Sequence, residues 1–326
     1  MPEYDSIPRP YCRLGPLSRA NGFFRELSTT GTMLPHHVRY STVLHGFALA
    51  IAIACSSHVM GQNPAAVDRA SFVQSPTSPA KSSPSWPASW SAGWLQVHTT
   101  TTDSQLPAWT HRLTTLPLEI EQALAIKLAN ANIRLVVLAN ETEFDHYLKK
   151  NFPGLPKRRA LFVQNRGPGL VLTYMHSDWL TDARHECTHA LLHASGIKLP
   201  LWLDEGLAEY FEVECTEKGV HPSHRNAVAS QLRYGQVVQI EDFEQSQNAT
   251  TLSPKEYRDA WSIVAFLLNH NAESKQALQE YIEDLRTGAA AGLLSRRLPA
   301  KSRSNWRDDY LEYFRSQPTG IRLGSR

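Results

Sequence analysis

The chain has 326 residues, 42% of them hydrophobic and 20% charged, with a formal net charge of +2. Such a composition can bury a sizeable core, in one large domain or two modest ones. A near-neutral charge without a basic run or aromatic–basic interleaving excludes nucleic acid as the expected partner.

Residues 43–55 (VLHGFALAIAIAC) form an apolar block behind His36, His37 and Arg39 and ahead of a polar Ser-Ser-His. A helix of that length spans roughly 20 Å, short of the ~30 Å hydrocarbon core, so no stable membrane span is expected in the mature form. A basic flank, a short apolar stretch and small residues after it have the layout of a signal peptide, which predicts export to the periplasm or beyond the cell. Met33 stands just ahead of the flank, so residues 1–32 are read as a long leader or a start-site artefact. A buried helix is the alternative reading of the block. Cleavage is expected near Gly61. Lipid attachment at Cys55 is a second possibility, although Ala52 stands where lipoprotein signals usually place a larger aliphatic residue. Residues 1–61 are therefore assigned to leader and signal peptide. Beyond them only Cys187 and Cys215 remain, as one disulfide or two free thiols.

Residues 62–92 are rich in Pro, Ser and Ala and read as a linker, with Trp86 and Trp90 as docking points on a domain that runs from 93 to 326. Residues 94–100 have strand character. Residues 117–130 place Leu118, Ile120, Leu124, Ala125 and Leu128 at helical spacing, and 133–139 is a short β-branched run expected as a buried strand. Residues 141–152 form an amphipathic helix ended by Pro153-Gly154. Two strand-like runs, 160–164 and 170–175, flank the turn signal Asn-Arg-Gly-Pro-Gly. Beyond residue 178 the pattern is helical throughout. Strands first and helices afterwards predict an α+β domain: a small mixed sheet, then helices carrying the site, then a C-terminal helical lobe from about residue 220.

The chemistry centres on His185-Glu186-Cys187-Thr188-His189. Residues i and i+4 share a helix face, so both imidazoles can reach one metal ion. Neutral imidazole suits Zn²⁺, whose catalytic sites use three protein ligands and keep a fourth position for water. Glu186 can point at that water and take its proton. An ordinary helix with packed histidines is the competing reading. It is disfavoured because the rest of the helix is apolar, and two histidines and a glutamate are costly to bury without partners. A third ligand is available. Gly196 and Pro200 turn the chain into a second helix starting near Leu203–Asp204, and Glu205 sits early on it. Two antiparallel helices would set Glu205 opposite His185 and His189. Glu209, one turn later, is expected to orient a ligand histidine through its other ring nitrogen. His193 lies too far along the helix to reach the same ion and is expected to pack. Cys187 points off the ligand face.

His-Glu-x-x-His followed by Trp-Leu-x-Glu-Gly-Leu-Ala resembles the gluzincin zinc metallopeptidases, particularly their aminopeptidase branch and related uncharacterised exported bacterial proteins. The resemblance is close over 184–212 and loose over 94–285. The spacing from second histidine to glutamate is shorter than is usual in the aminopeptidases. Metzincins are excluded, because Leu192 and Ser195 stand where they need glycine and a third histidine.

The resemblance implies one zinc ion on His185, His189 and Glu205, Glu186 as general base, and a peptide or protein substrate. Ser253, Pro254 and Glu256 begin a capped helix with Tyr257 in its first turn. The setting Tyr-Arg-Asp-Ala-Trp is similar to the gluzincin segment whose tyrosine supports the tetrahedral intermediate, so Tyr257 is the expected oxyanion donor. His221, His224 and Tyr234 are reserves, expected at the surface. The strand at 170–175 corresponds to the edge that pairs with extended substrate, which makes Leu170, Leu172 and Tyr174 the expected contacts. The alternative function is a zinc-containing envelope binding or scaffold protein of the same fold that hydrolyses nothing.

Overall fold

The computed structural model describes residues 86–155, 157–164, 168–214, 221–246 and 251–317. The expected leader and expected signal peptide, and residues 62–85 of the expected linker, lie outside these, as does Cys215.

Five strands form one sheet: β1 (Ala88–Ala92), β2 (Leu95–Thr99), β3 (Ile133–Leu138), β4 (Ala160–Val163) and β5 (Leu170–Tyr174). Their spatial order is β1-β2-β3-β5-β4. The middle three are parallel, and each outer strand runs antiparallel to its neighbour. Between β2 and β3 lie α1 (Leu106–Arg112), a single 3₁₀ turn (Leu113–Thr115) and α2 (Leu116–Leu124); α3 (Glu141–Asn151) follows β3. Then come α4 (Trp179–Ala194), α5 (Leu201–Phe211), α6 (Pro222–Arg233), α7 (Ile240–Gln245), α8 (Pro254–Asn269), α9 (Ala272–Thr287), α10 (Leu294–Arg297), α11 (Ala300–Ser304) and α12 (Trp306–Ser316). The expected α+β architecture is the observed one. Among the described residues no helix is long and apolar enough to cross a membrane.

Strand alternation divides the side chains between two layers. Leu95, Val97, Ile133, Leu135, Val137 and Val171 join the large core shared with α2, α4, α5, α8 and α9. Val136, Leu138, Leu161, Val163, Leu172 and Tyr174 face the other way and pack against Phe144 and Leu148 of α3. The parallel strands are thus covered on both faces, which is why β3 reads as an almost unbroken apolar run. Asn140 starts α3 by accepting the backbone N–H of Glu143 at 3.0 Å, the usual way of satisfying a helix's unpaired first amides.

Three expectations are corrected here. The linker does not extend to residue 92, since 88–92 is strand β1, paired with β2 in register Trp90↔Val97. Trp86 packs on His98 and Tyr147, so the domain begins before Gly93. The helix expected over 117–130 stops at Leu124, where Ala125 takes the left-handed conformation (φ 54°), and Leu118 is exposed rather than inward-facing. Finally, the run 170–175 is not an edge. β5 is hydrogen-bonded to β3 on one side and β4 on the other, so Leu170, Leu172 and Tyr174 cannot offer a free backbone to a substrate. The outer strand on that side is β4.

Candidate metal centre

Helices α4 and α5 run antiparallel, joined through Gly196 (φ 72°) and Pro200. Apolar α4 residues such as Ala183, Cys187, Ala190 and Leu191 are buried in the core and fix the helix's rotation. That rotation brings His185 and His189 toward α5. Their Nε2 atoms are 3.3 Å apart, and Glu205 Oε2 lies 3.4 Å from each. The three donor atoms form a nearly equilateral triangle. A divalent cation could be held there by two imidazoles and one carboxylate.

Each histidine is fixed from behind. His185 Nδ1 lies 3.0 Å from Glu212 Oε2, and His189 Nδ1 lies 3.1 Å from Asp204 Oδ2. A carboxylate at Nδ1 keeps the proton there and turns the Nε2 lone pair to the centre of the triangle. Asp204 also accepts from His193 Nε2 at 3.2 Å, so His193 packs beside the centre as expected. Glu209 does not take the expected role. It pairs with His224 at 2.6 Å, and the carboxylates that orient the two histidines are Glu212 and Asp204. Helix geometry gives the reason: at 100° per residue, position 212 lies about 20° from the direction of 205, whereas 209 lies about 40° to the other side. Buried Arg184 secures this end of α5, with Nε donating to the Phe211 carbonyl at 3.0 Å and Nη2 to the Val213 carbonyl at 3.1 Å and to Glu119 at 2.7 Å.

The electrostatics of the group are reciprocal. Burial disfavours charge on His189, yet the Asp204 and Glu205 carboxylates outweigh it and push the imidazole up to about 10. Burial likewise opposes a raised His185, but hydrogen bonds to Glu205 and Glu212 hold it well above the ordinary histidine value. Glu205, against its own burial, is drawn down to about 2 by His189 and His185. The carboxylates therefore favour positive charge at this point, carried by the imidazole protons here and equally by a cation that displaces them.

His185 of the triangle lines a cleft of about 680 Å³. Glu186 lines it beside His185, and so does Tyr257. Helix α8 begins with a complete capping box between Ser253 and Glu256, which fixes its first turn. From there the Tyr257 hydroxyl donates to Glu205 Oε1 at 3.3 Å. Burial and the Glu205 charge push that hydroxyl well above the usual phenol range, so it stays protonated as a donor. Ala160, at the start of β4, borders the same cleft, as does Arg159, which is paired with Asp178 and Asp182.

His221 and His224 are not surface residues. Both line the cleft, whereas Tyr234 is exposed as expected. Cys187 is a free, fully buried thiol whose pKa burial pushes up, so it neither ligates nor reacts. Sequence reasoning missed Asp204, Glu212 and Arg184. Asp204 stood beside the expected ligand, and Glu212 had the better helical phase. Arg184 gave no signal.

A family model described as "Protein of unknown function (DUF1570)" matches residues 180–288. That stretch runs from the first turn of α4 through α9, so it contains every donor of the centre and Tyr257 but none of the sheet. No curated protein matches the chain.

Proposed function

We propose that the protein is a zinc-dependent peptidase, exported to the periplasm or beyond the cell, with Glu186 as general base and Tyr257 as oxyanion donor. One observation carries the reading: the donor triangle with edges of 3.3, 3.4 and 3.4 Å. In a tetrahedral site with zinc–ligand bonds of about 2.0–2.1 Å, neighbouring donors stand about 3.3–3.4 Å apart. The backing of each imidazole by a carboxylate is the usual support of a zinc-binding histidine. A zinc ion held by His185, His189 and Glu205 would supply Lewis acidity toward a scissile carbonyl and acidify the attacking water.

The chain's own groups account for the rest. Glu186 accepts a proton from the attacking water on its carboxylate and returns it to the leaving amine. The Tyr257 hydroxyl donates to the oxygen of the substrate carbonyl as charge builds on it. β4 replaces β5 as the strand that an extended peptide would join, since it is the outer strand and its first residue, Ala160, borders the cleft.

The test is metal content and peptide cleavage measured on the same samples. Wild-type protein is expected to bind zinc through the triad and cleave peptides from a mixed library. Glu186→Gln should keep the triad's metal and lose at least about 10²-fold in turnover. Cleavage at the wild-type rate by Glu186→Gln would refute the mechanism, and a metal-loaded wild-type protein that cleaves no peptide would favour the binding-protein alternative.

A further inference from the structure

The same cleft holds a second convergence of donors, of which only Glu212 also touches the triad. Glu209 and Glu212, three residues apart at the end of α5, face His221 and His224, three residues apart at the start of α6. His224 Nε2 is 2.6 Å from Glu209 Oε2, and His221 Nε2 is 2.8 Å from Glu212 Oε1. The donor atoms of Glu209, His221 and His224 all lie within 4.8 Å of one another. These groups are sheltered, with side chains between 9% and 21% exposed.

The orientation of both rings is built in. His221 caps α6: its Nδ1 accepts the backbone N–H of His224 and lies 2.8 Å from the Ser223 hydroxyl, which leaves Nε2 directed at the carboxylates. His224 stacks on His221 with ring centres 4.1 Å apart and also packs against Trp261, ring centres 5.5 Å apart. The cleft around them is rich in carboxylates, being lined also by Asp178, Asp182 and Glu186, with Arg159 paired to the first two. Three donors thus converge from two helix ends on one sheltered point, with Glu212 bonded to the second ring, an arrangement that one divalent cation would bridge.

We propose that Glu209, His221 and His224 form a second divalent-cation site, with Glu212 as the carboxylate shared between it and His185 of the triad. Two imidazoles with carboxylates select a borderline transition ion such as zinc over magnesium or calcium. Glu212 bonds His185 through Oε2 and His221 through Oε1, so filling the second site would fix the position of a triad ligand. The proposal does not depend on the triad being catalytic.

The test is metal counting on the full chain, stripped with chelator, reloaded with Zn²⁺ and desalted, with folding checked by cooperative thermal melting. His224→Gln and Glu209→Gln should each bind one equivalent fewer than wild type, while His185→Ala reports separately on the triad. Equal zinc content in wild type, His224→Gln and Glu209→Gln would overturn the second site and leave the triad reading untouched. Loss of an equivalent in His224→Gln but none in His185→Ala would do the reverse. Should the variants melt without cooperativity, cobalt titration of the wild-type protein decides: two successive changes in its visible absorption support the site, and a single one overturns it.

Discussion

Asp204 and Glu205 are adjacent in sequence but act on opposite nitrogens of one ring, the first at His189 Nδ1 and the second facing Nε2. Replacing Asp204 by Asn keeps the shape and removes the charge, so the ring loses what fixes its tautomer. Affinity of the triad for zinc should fall 10–100-fold, read by competition with a chromophoric chelator. Charge also sets a pH signature in the metal-free protein. His189 rises from 6.5 to about 10 on folding, so its contribution is complete below pH 6.5 and is lost as pH climbs toward 10. Glu205 falls from 4.5 to about 2, so its contribution is complete above pH 4.5 and is lost as pH drops toward 2. Chelator-treated protein should therefore lose thermal stability between pH 7 and 10. Zinc-loaded protein should not lose this increment, because the ion takes the place of the proton. A melting temperature that stays flat or rises over that range without metal would contradict the assignment. At this scale the sequence was most legible where spacing alone decides, as for His185 and His189 four residues apart on one helix. It was least legible for Glu209 against Glu212, where the rotation of one helix against another chooses the partner.

Between elements the decisive contact is the crossing of α5 and α8. Gly206, next to Glu205, lies so close to α8 that an added Cβ would stand 2.8 Å from the Ala260 carbonyl oxygen and 3.0 Å from Val264 Cγ2. Both sides of that contact are fixed by helix backbone, so neither can yield cheaply. Tyr257, three residues before Ala260, reaches Glu205 only because the helices meet at this distance. Gly206→Ala should destabilise the protein by about 1–3 kcal/mol, as overpacking does, and should lower turnover together with stability. Tyr257→Phe provides the contrast, since it removes one hydroxyl and leaves the crossing intact. It should lower turnover with a stability change of no more than about 3 kcal/mol, the upper worth of a hydrogen bond to a charged group. Chemical denaturation and peptide-cleavage rates on both variants check this. The capping box that begins α8 was readable from Ser253, Pro254 and Glu256, because its signal is local. The close approach was not, since a glycine after a glutamate says nothing of which helix it will meet.

The order of strands across the molecule was the least readable property of all. Residues 160–164 and 170–175 both appear as short apolar runs, and neither run reveals which of them lies outside. The outer place falls to β4 because β5 pairs in parallel with β3 and the hairpin then turns outward. The same limit applies at the other end of the sheet. Proline and serine around residues 62–87 carry a linker signature straight into β1, whose alternating half-buried pattern is too weak to stand out from it. Yet β1 covers the open side of β2 along its whole length, from Ala88↔Thr99 to Ala92↔Leu95. A fragment beginning at Gly93 would expose the backbone of β2, whose Leu95, Val97 and Thr99 are fully buried in the intact sheet, and would lose Trp86 and Trp90 from its packing. Bare strand edges of this kind pair with other chains. A fragment from Asp68 should therefore melt cooperatively as a monomer, whereas one from Gly93 should melt at lower temperature or aggregate. Light scattering followed through a thermal ramp separates these outcomes, and equal behaviour of the two fragments would mean that β1 contributes nothing to the domain.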